Sequence, residues 1–187
     1  MRHKYETRGV VLSRAPLGEA SAFITLITPE LGTVRAHTQS VRRSGAKLAH
    51  ALTTFAESEV VLVRGKEGWR LSGAVLQTNW FARLAPLSRE RAVRVSGLLQ
   101  RLVTGEAPEP ALFPIMIGLF EALSTTPHNL HEAAEILAAL RILSTLGFDA
   151  EQIPQETDFT PLSLEAVRAG RTAYIARINQ GIAASGL

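Results

Sequence analysis

The sequence predicts an α+β chain, with a small five-stranded β-barrel followed by an α-helical half. Up to about residue 80, short β-branched segments are separated by turn residues; from about Leu84, apolar residues return every three or four positions. Charge divides along the same line. Residues 1–80 hold eleven Lys/Arg against six Asp/Glu, whereas residues 81–187 hold nine against eleven.

The candidate strands are Tyr5–Arg14, Ala20–Thr28, Gly32–Gln39, Glu57–Arg64 and Trp69–Thr78. Between them lie Pro16-Leu17-Gly18, Pro29-Glu30-Leu31-Gly32, a long loop from Ser40 to Ala56, and Gly65-Lys66-Glu67-Gly68, all rich in turn formers. In the third segment Thr33, Arg35, His37 and Gln39 alternate with Val34, Ala36 and Thr38, which leaves one face polar. Five strands with a long connection between the third and fourth is the layout of an OB-fold barrel. Trp69 alternates with Leu71 and Val75, which places it in the barrel core, with base stacking as the alternative. Phe23 and Phe55 are also core candidates. A first domain over 1–80 meets a helical domain over 81–187, and Trp80 and Phe81 are expected to seal the junction.

The first long helix is expected over Ser88–Thr104, with Ser88 as N-cap and Gly105 as its stop. A second follows Pro108 and Pro110 and runs to about Ser124. The third begins where Asn129 and Glu132 have capping-box spacing and ends at Gly147. After a polar connection from Asp149 to Pro161, a last helix is expected over Leu162–Ala184.

A chain of 187 residues with 46% hydrophobic content has enough apolar material for a folded core. It contains no cysteine, which excludes disulfides, thiolate-bound zinc and a cysteine nucleophile, and which fits a reducing cytoplasm. The charged start is not followed by the apolar core of a signal peptide, and no apolar run is long enough for a bilayer. Catalytic residue types are poorly arranged. His128 and His131 stand at a helix start, His37 on a polar strand face and His50 in a loop. There is no phosphate-binding glycine loop, nucleophile elbow or two-metal acidic cluster in the basic half. The reading is therefore of a non-enzymatic protein with no cofactor and no metal.

Binding has better support. Arg35, Arg42, Arg43 and Lys47 fall within thirteen residues that contain no acid, and Arg64, Lys66 and Arg70 flank the fourth-to-fifth strand turn. Guanidinium groups hold phosphate oxygens in bidentate fashion, and counterion release makes such binding tolerant of base sequence. A solvated loop with incidental charges is the alternative. On the first long helix Arg91, Arg94 and Arg101 flank an apolar stripe of Val95, Leu99 and Leu102. That pattern suits an acidic peptide with a hydrophobic end, or else is an ordinary solvated helix edge.

Tyr5–Leu12, Leu17-Gly18-Glu19-Ala20 and Leu26-Ile27-Thr28-Pro29-Glu30-Leu31-Gly32 resemble the opening strands of the RecO family. The resemblance continues in order through Val41-Arg42-Arg43, Lys47-Leu48, Phe55 and Val60–Gly65, and returns in Leu140–Phe148 with its Leu-Gly-Phe ending. It implies an OB barrel and a non-enzymatic recombination mediator, cytoplasmic and nucleoid-associated. Such a mediator binds single- and double-stranded DNA, anneals strands and helps load recombinase onto strands coated by single-stranded-DNA-binding protein. RecR and the acidic tail of that coating protein are the implied partners. The family's basic barrel surface carries over to Arg42, Arg43 and Lys47, and to Arg35. Many relatives carry a four-cysteine zinc module after the Leu-Gly-Phe helix; here Asp149–Pro161 is short and has no cysteine, and the chain is shorter than usual relatives. Two other readings compete with the mediator: an adaptor whose helical half binds partner peptides, and a metal-dependent enzyme on nucleic acid, for which the sequence offers no ligand set.

Overall fold

Alternation of buried and exposed positions makes strands of five segments: β1 (His3–Leu17), β2 (Ser21–Thr28), β3 (Gly32–Gln39), β4 (Ala56–Gly65) and β5 (Gly68–Asn79). The computed structural model describes residues 3–17, 21–39, 47–103, 106, 108–150 and 158–187. β1 is long enough to serve two neighbours. Its first part, His3–Val10, pairs antiparallel with β4; Val10–Leu17 pairs with β2. An irregularity between Val11 and Ser13 bends the strand where it changes partner.

The β2–β3 hairpin turns on Gly32, whose φ of 62° is left-handed backbone that glycine adopts without steric cost. Thr28 secures this turn, its hydroxyl accepting from the Leu31 N–H at 3.0 Å and donating to the Gly32 carbonyl at 3.2 Å. The β4–β5 hairpin closes over Lys66-Glu67, with Gly65 opposite Gly68. A two-residue parallel contact, Ala36 with Trp69 and His37 with Arg70, joins β3 to β5 and closes the barrel in the order β1-β2-β3-β5-β4. This is the expected OB arrangement. Its interior holds Val11, Ile24, Leu26, Val34, Val60, Leu62 and Leu71, with Trp69 among them.

The connection read from the sequence as a loop contains a short helix, α1 (Lys47–Ala51). Leu52, just after it, is fully buried in the barrel core, and Leu48 packs against that core. Phe55 then takes a left-handed conformation, φ 61°, which costs a non-glycine residue about 1–3 kcal/mol. Two things hold it there. Its side chain is 1% exposed, and its N–H donates to the Val11 carbonyl at 2.8 Å. Its own carbonyl accepts from the Trp80 N–H at 3.2 Å.

Contact density divides the chain into two units. The first comprises residues 1–83 together with Val103–Phe113; the second comprises Leu84–Leu102 and Pro114–Leu187. The return of Val103–Phe113 to the first unit goes beyond a single boundary at residue 80. Trp80 opens a short helix, α2 (Trp80–Arg83), and is buried within the first unit, where its Nε1–H donates to Glu57 Oε2 at 2.9 Å. Phe81 is 41% exposed.

The second unit contains α3 (Pro86–Leu102), most of α4 (Leu112–Thr125), a 3-10 turn at His128–Leu130, α5 (His131–Thr145), α6 (Pro161–Ala169) and α7 (Arg171–Ala184). α5 is its axis, buried at eleven positions and packed against α3, α6 and α7. Gly147 ends α5 as expected: with φ 80°, it donates its N–H to Ser144, while the Phe148 N–H reaches the Leu143 carbonyl at 2.8 Å.

Three terminus expectations are corrected. α3 starts at Pro86, because proline suits a first helical turn, so Ser88 is inside the helix, fully buried rather than an N-cap. α5 has no side-chain cap: the 3-10 turn delivers the chain to His131, and Glu132 binds Arg171 rather than closing a capping box with Asn129. The last helix is two helices. Thr160 caps α6 by accepting from the Ser163 N–H, and the chain breaks at Gly170, where the Tyr174 ring lies 2.6 Å from where a β-carbon would stand. The stop expected of Thr104 and Gly105 lies outside the described residues.

Glu57→Ala is expected to leave the buried Trp80 Nε1–H unpaired and to lower stability by about 1–3 kcal/mol. Glu57→Gln, which keeps an acceptor oxygen, is expected to cost less. Urea unfolding followed by tryptophan fluorescence measures both; equal losses would show that charge, rather than the hydrogen bond, dominates at this position.

Candidate nucleic-acid interface

Strand alternation decides which side chains leave the barrel. On β2 and β3, Ala22, Ile24, Leu26, Val34 and Ala36 point inward, so Phe23, Thr25, Arg35 and His37 point outward. Phe23 is therefore not the core residue that the sequence suggests. It stands half-buried on the outer face, directly across from His37, with ring centroids 5.6 Å apart. The Arg35 guanidinium lies 4.2 Å above the Phe23 ring. On β5 the exposed Arg70 is paired in register with His37 and so joins the same face.

Arg35, Lys66 and Arg70 have no ion pair among the described residues. Arg64 differs. Its guanidinium lies 5.0 Å from the Trp69 ring and pairs with the Glu106 carboxylate, both partners half-exposed. An exposed pair of this kind is worth about 0–1 kcal/mol, so it reduces the local charge without holding it irreversibly. Arg42 and Arg43 lie outside the described residues, and Lys47 opens α1 with its side chain outside them.

The three arginines singled out on α3 meet at one concavity of about 510 Å³ within the second unit. Its apolar lining comes from Val95 and Leu98 of α3, Ile136 and Ala139 of α5, and Ile175, Ile178 and Ile182 of α7. Sequence periodicity could reveal the α3 stripe alone; the isoleucines of α7 enter only through tertiary packing. Arg91 and Arg94 converge on Glu135, at 2.5 Å each. That hydrogen bond from Arg94 to Glu135 raises the Arg94 pKa despite some burial. Arg101 has no ion pair among the described residues.

The family model described as recombination protein O, N-terminal, matches residues 1–78. Relatives named DNA repair protein RecO extend further. That of Dehalococcoides mccartyi strain 195 is 30% identical over 125 residues, 66% of this chain and 49% of its own length. The Gloeobacter violaceus protein is 27% identical over 164 residues, 87% of this chain and 62% of its own. The Synechococcus elongatus protein is 28% identical over 148 residues, 74% and 54% respectively. The first 78 residues of this chain match the N-terminal domain of RecO, and longer stretches of the chain are similar to RecO proteins. The chain spans between about half and three fifths of the length of these relatives. The family model matches the residues that form the barrel.

His131 is a structural histidine. His131 is 4% exposed and both ring nitrogens are used: Nδ1 is 3.1 Å from the Ser88 hydroxyl, and Nε2 is 2.9 Å from the Thr126 carbonyl. Since a carbonyl only accepts, Nε2 carries the proton and Nδ1 accepts from Ser88. No lone pair remains for a metal. The His128 ring stacks nearby at 4.6 Å, and among the described residues no group of three His, Cys, Asp or Glu could hold a metal ion. No described helix is long and apolar enough to cross a membrane.

Burial pushes the His131 pKa below its ordinary value, with His128 and Arg91 adding repulsion and the Thr126 carbonyl opposing. The neutral ring is thus the folded form. Its contribution to stability is complete above the unfolded value near 6.5 and is lost as pH falls through the depressed folded value. Urea midpoints are therefore expected to drop as pH falls below about 6.5, and His131→Gln is expected to flatten that part of the profile; an unchanged slope in the variant would assign the drop to other groups.

Proposed function

We propose that the chain binds DNA on the outer face of its barrel and acts without catalysis in DNA repair and recombination. In this reading it anneals complementary strands and assists recombinase loading on strands coated by single-stranded-DNA-binding protein, with RecR as a partner. One observation carries the proposal. Arg35 and Arg70 stand without an ion pair among the described residues on an outer face whose strands β2, β3 and β5 contain no acidic residue, and Arg42, Arg43 and Lys47 follow β3 in sequence. The family's DNA repair relatives support the same direction. Neutralising backbone charge on two strands lowers their mutual repulsion, which is the physical requirement for annealing.

Anisotropy of a fluorescent single-stranded oligonucleotide across a salt series tests this. The native chain is expected to bind more weakly as salt rises, and Arg42→Ala, Arg43→Ala, Lys47→Ala together are expected to reduce the slope of log K against log salt by roughly 2. Absence of binding by folded protein at low salt would overturn the proposal.

A second reading, of a peptide-binding adaptor, is supported by the concavity between α3, α5 and α7. Its apolar floor and basic rim suit an acidic peptide with apolar C-terminal residues, the chemistry of the coating protein's tail. Arg101→Ala is expected to weaken such a peptide roughly tenfold, while leaving DNA affinity unchanged. Equal peptide affinity in the variant would remove Arg101 from that site.

A further inference from the structure

Phe23 is an aromatic residue on the solvent side of the barrel, and nothing in the folding of the barrel requires it there. The core beneath is filled by its neighbours Ala22 and Ile24, which are 1% and 0% exposed. Its ring is instead framed by polar groups: Arg35 lies 4.2 Å over the centroid, and His37 stands across the strand pair at a 60° tilt. A guanidinium over a phenyl face is attractive but weak at an exposed site, about 0.5–1 kcal/mol, so a better planar partner can displace it.

The strands of this face, β2, β3 and β5, carry no acidic residue. Arg8 faces Glu57 and Arg64 pairs with Glu106, whereas Arg35 and Arg70 have no carboxylate partner among the described residues. β2 and β5 are separated by β3 alone, so Phe23 and Arg70 lie about 10 Å apart across the sheet. That span fits one nucleotide with its base on Phe23 and a neighbouring phosphate at Arg70. The strand 2–3 face is also where OB barrels generally take oligonucleotides.

We propose that Phe23, framed by Arg35 and His37, is a stacking site for an unpaired nucleobase of single-stranded DNA, with Arg70 holding the adjoining backbone. The inference rests on the DNA-binding reading above and deepens it. Charge alone does not distinguish one strand from two; an aromatic platform does, because the base faces of a duplex are already stacked. Binding would begin with displacement of the Arg35 guanidinium from the ring and its transfer to a phosphate.

The test compares three fluorescein-labelled probes of equal length: oligothymidylate, a fully abasic strand and a duplex. Native protein is expected to bind oligothymidylate roughly five- to a hundredfold more tightly than the abasic strand. Phe23→Leu, which keeps apolar bulk and loses the π face, is expected to erase that preference while leaving abasic and duplex binding unchanged. Phe23→Tyr is expected to retain it. Binding of all three probes by native protein without preference for bases would overturn the stacking site and leave the electrostatic reading standing; so would a preference that survives in Phe23→Leu. Failure to bind any probe would overturn both.

Discussion

The fold depends on one strand serving two partners. β1 gives its first part to β4 and its second to β2, and the barrel closes only because the strand bends at the irregularity between Val11 and Ser13. The Val11 carbonyl at that bend accepts from Phe55, whose left-handed backbone brings the chain from α1 into β4. Burial of the Phe55 ring offsets that strain. The Phe55 carbonyl in turn receives Trp80, so the start of β4 and the end of β5 are tied to the same point of β1.

Closure also determines the charge pattern. A surplus of basic residues in the first eighty positions says little about binding until the partners of each cation are known. Folding places Glu57 near Arg8 and returns Glu106 to Arg64, while the shared parallel contact of β3 and β5 sets His37 beside Arg70. Arg35 and Arg70, which have no carboxylate partner among the described residues, are thereby brought onto the face formed by β2, β3 and β5. On the helical side the same selection operates: Glu135 holds Arg91 and Arg94, and Arg101 has no ion pair among the described residues.

The helical unit is organised by polar groups that are satisfied inside it. Ser88 and Thr126 use both nitrogens of His131, joining α3 and the end of α4 to the start of α5. At the other end of α5, Arg177 meets Asp149 at 2.6 Å, with both side chains about nine-tenths buried. Removal of one partner from such a pair typically costs about 3–5 kcal/mol, because a buried charge is left uncompensated. The concavity lies beside them, and α7 contributes three isoleucines to its lining.

The sequence by itself determined the fold class, the five strands and their order, and the ending of α5 at Gly147. Those features arise from local periodicity and from glycines that tolerate left-handed backbone, and both are written in neighbouring residues. Strand alternation also placed Arg35 and His37 on a polar face correctly. The same alternation misjudged Phe23, since hydrophobic character suggests burial but only the register of β2 against β3 shows which way the ring points. Likewise Ser88 and Glu132 carried good capping chemistry, yet tertiary partners, His131 and Arg171, took their side chains. Which arginines remain without carboxylates, and which helices line the concavity, was decided only by the tertiary structure, because both depend on residues that are distant in the chain and adjacent in space.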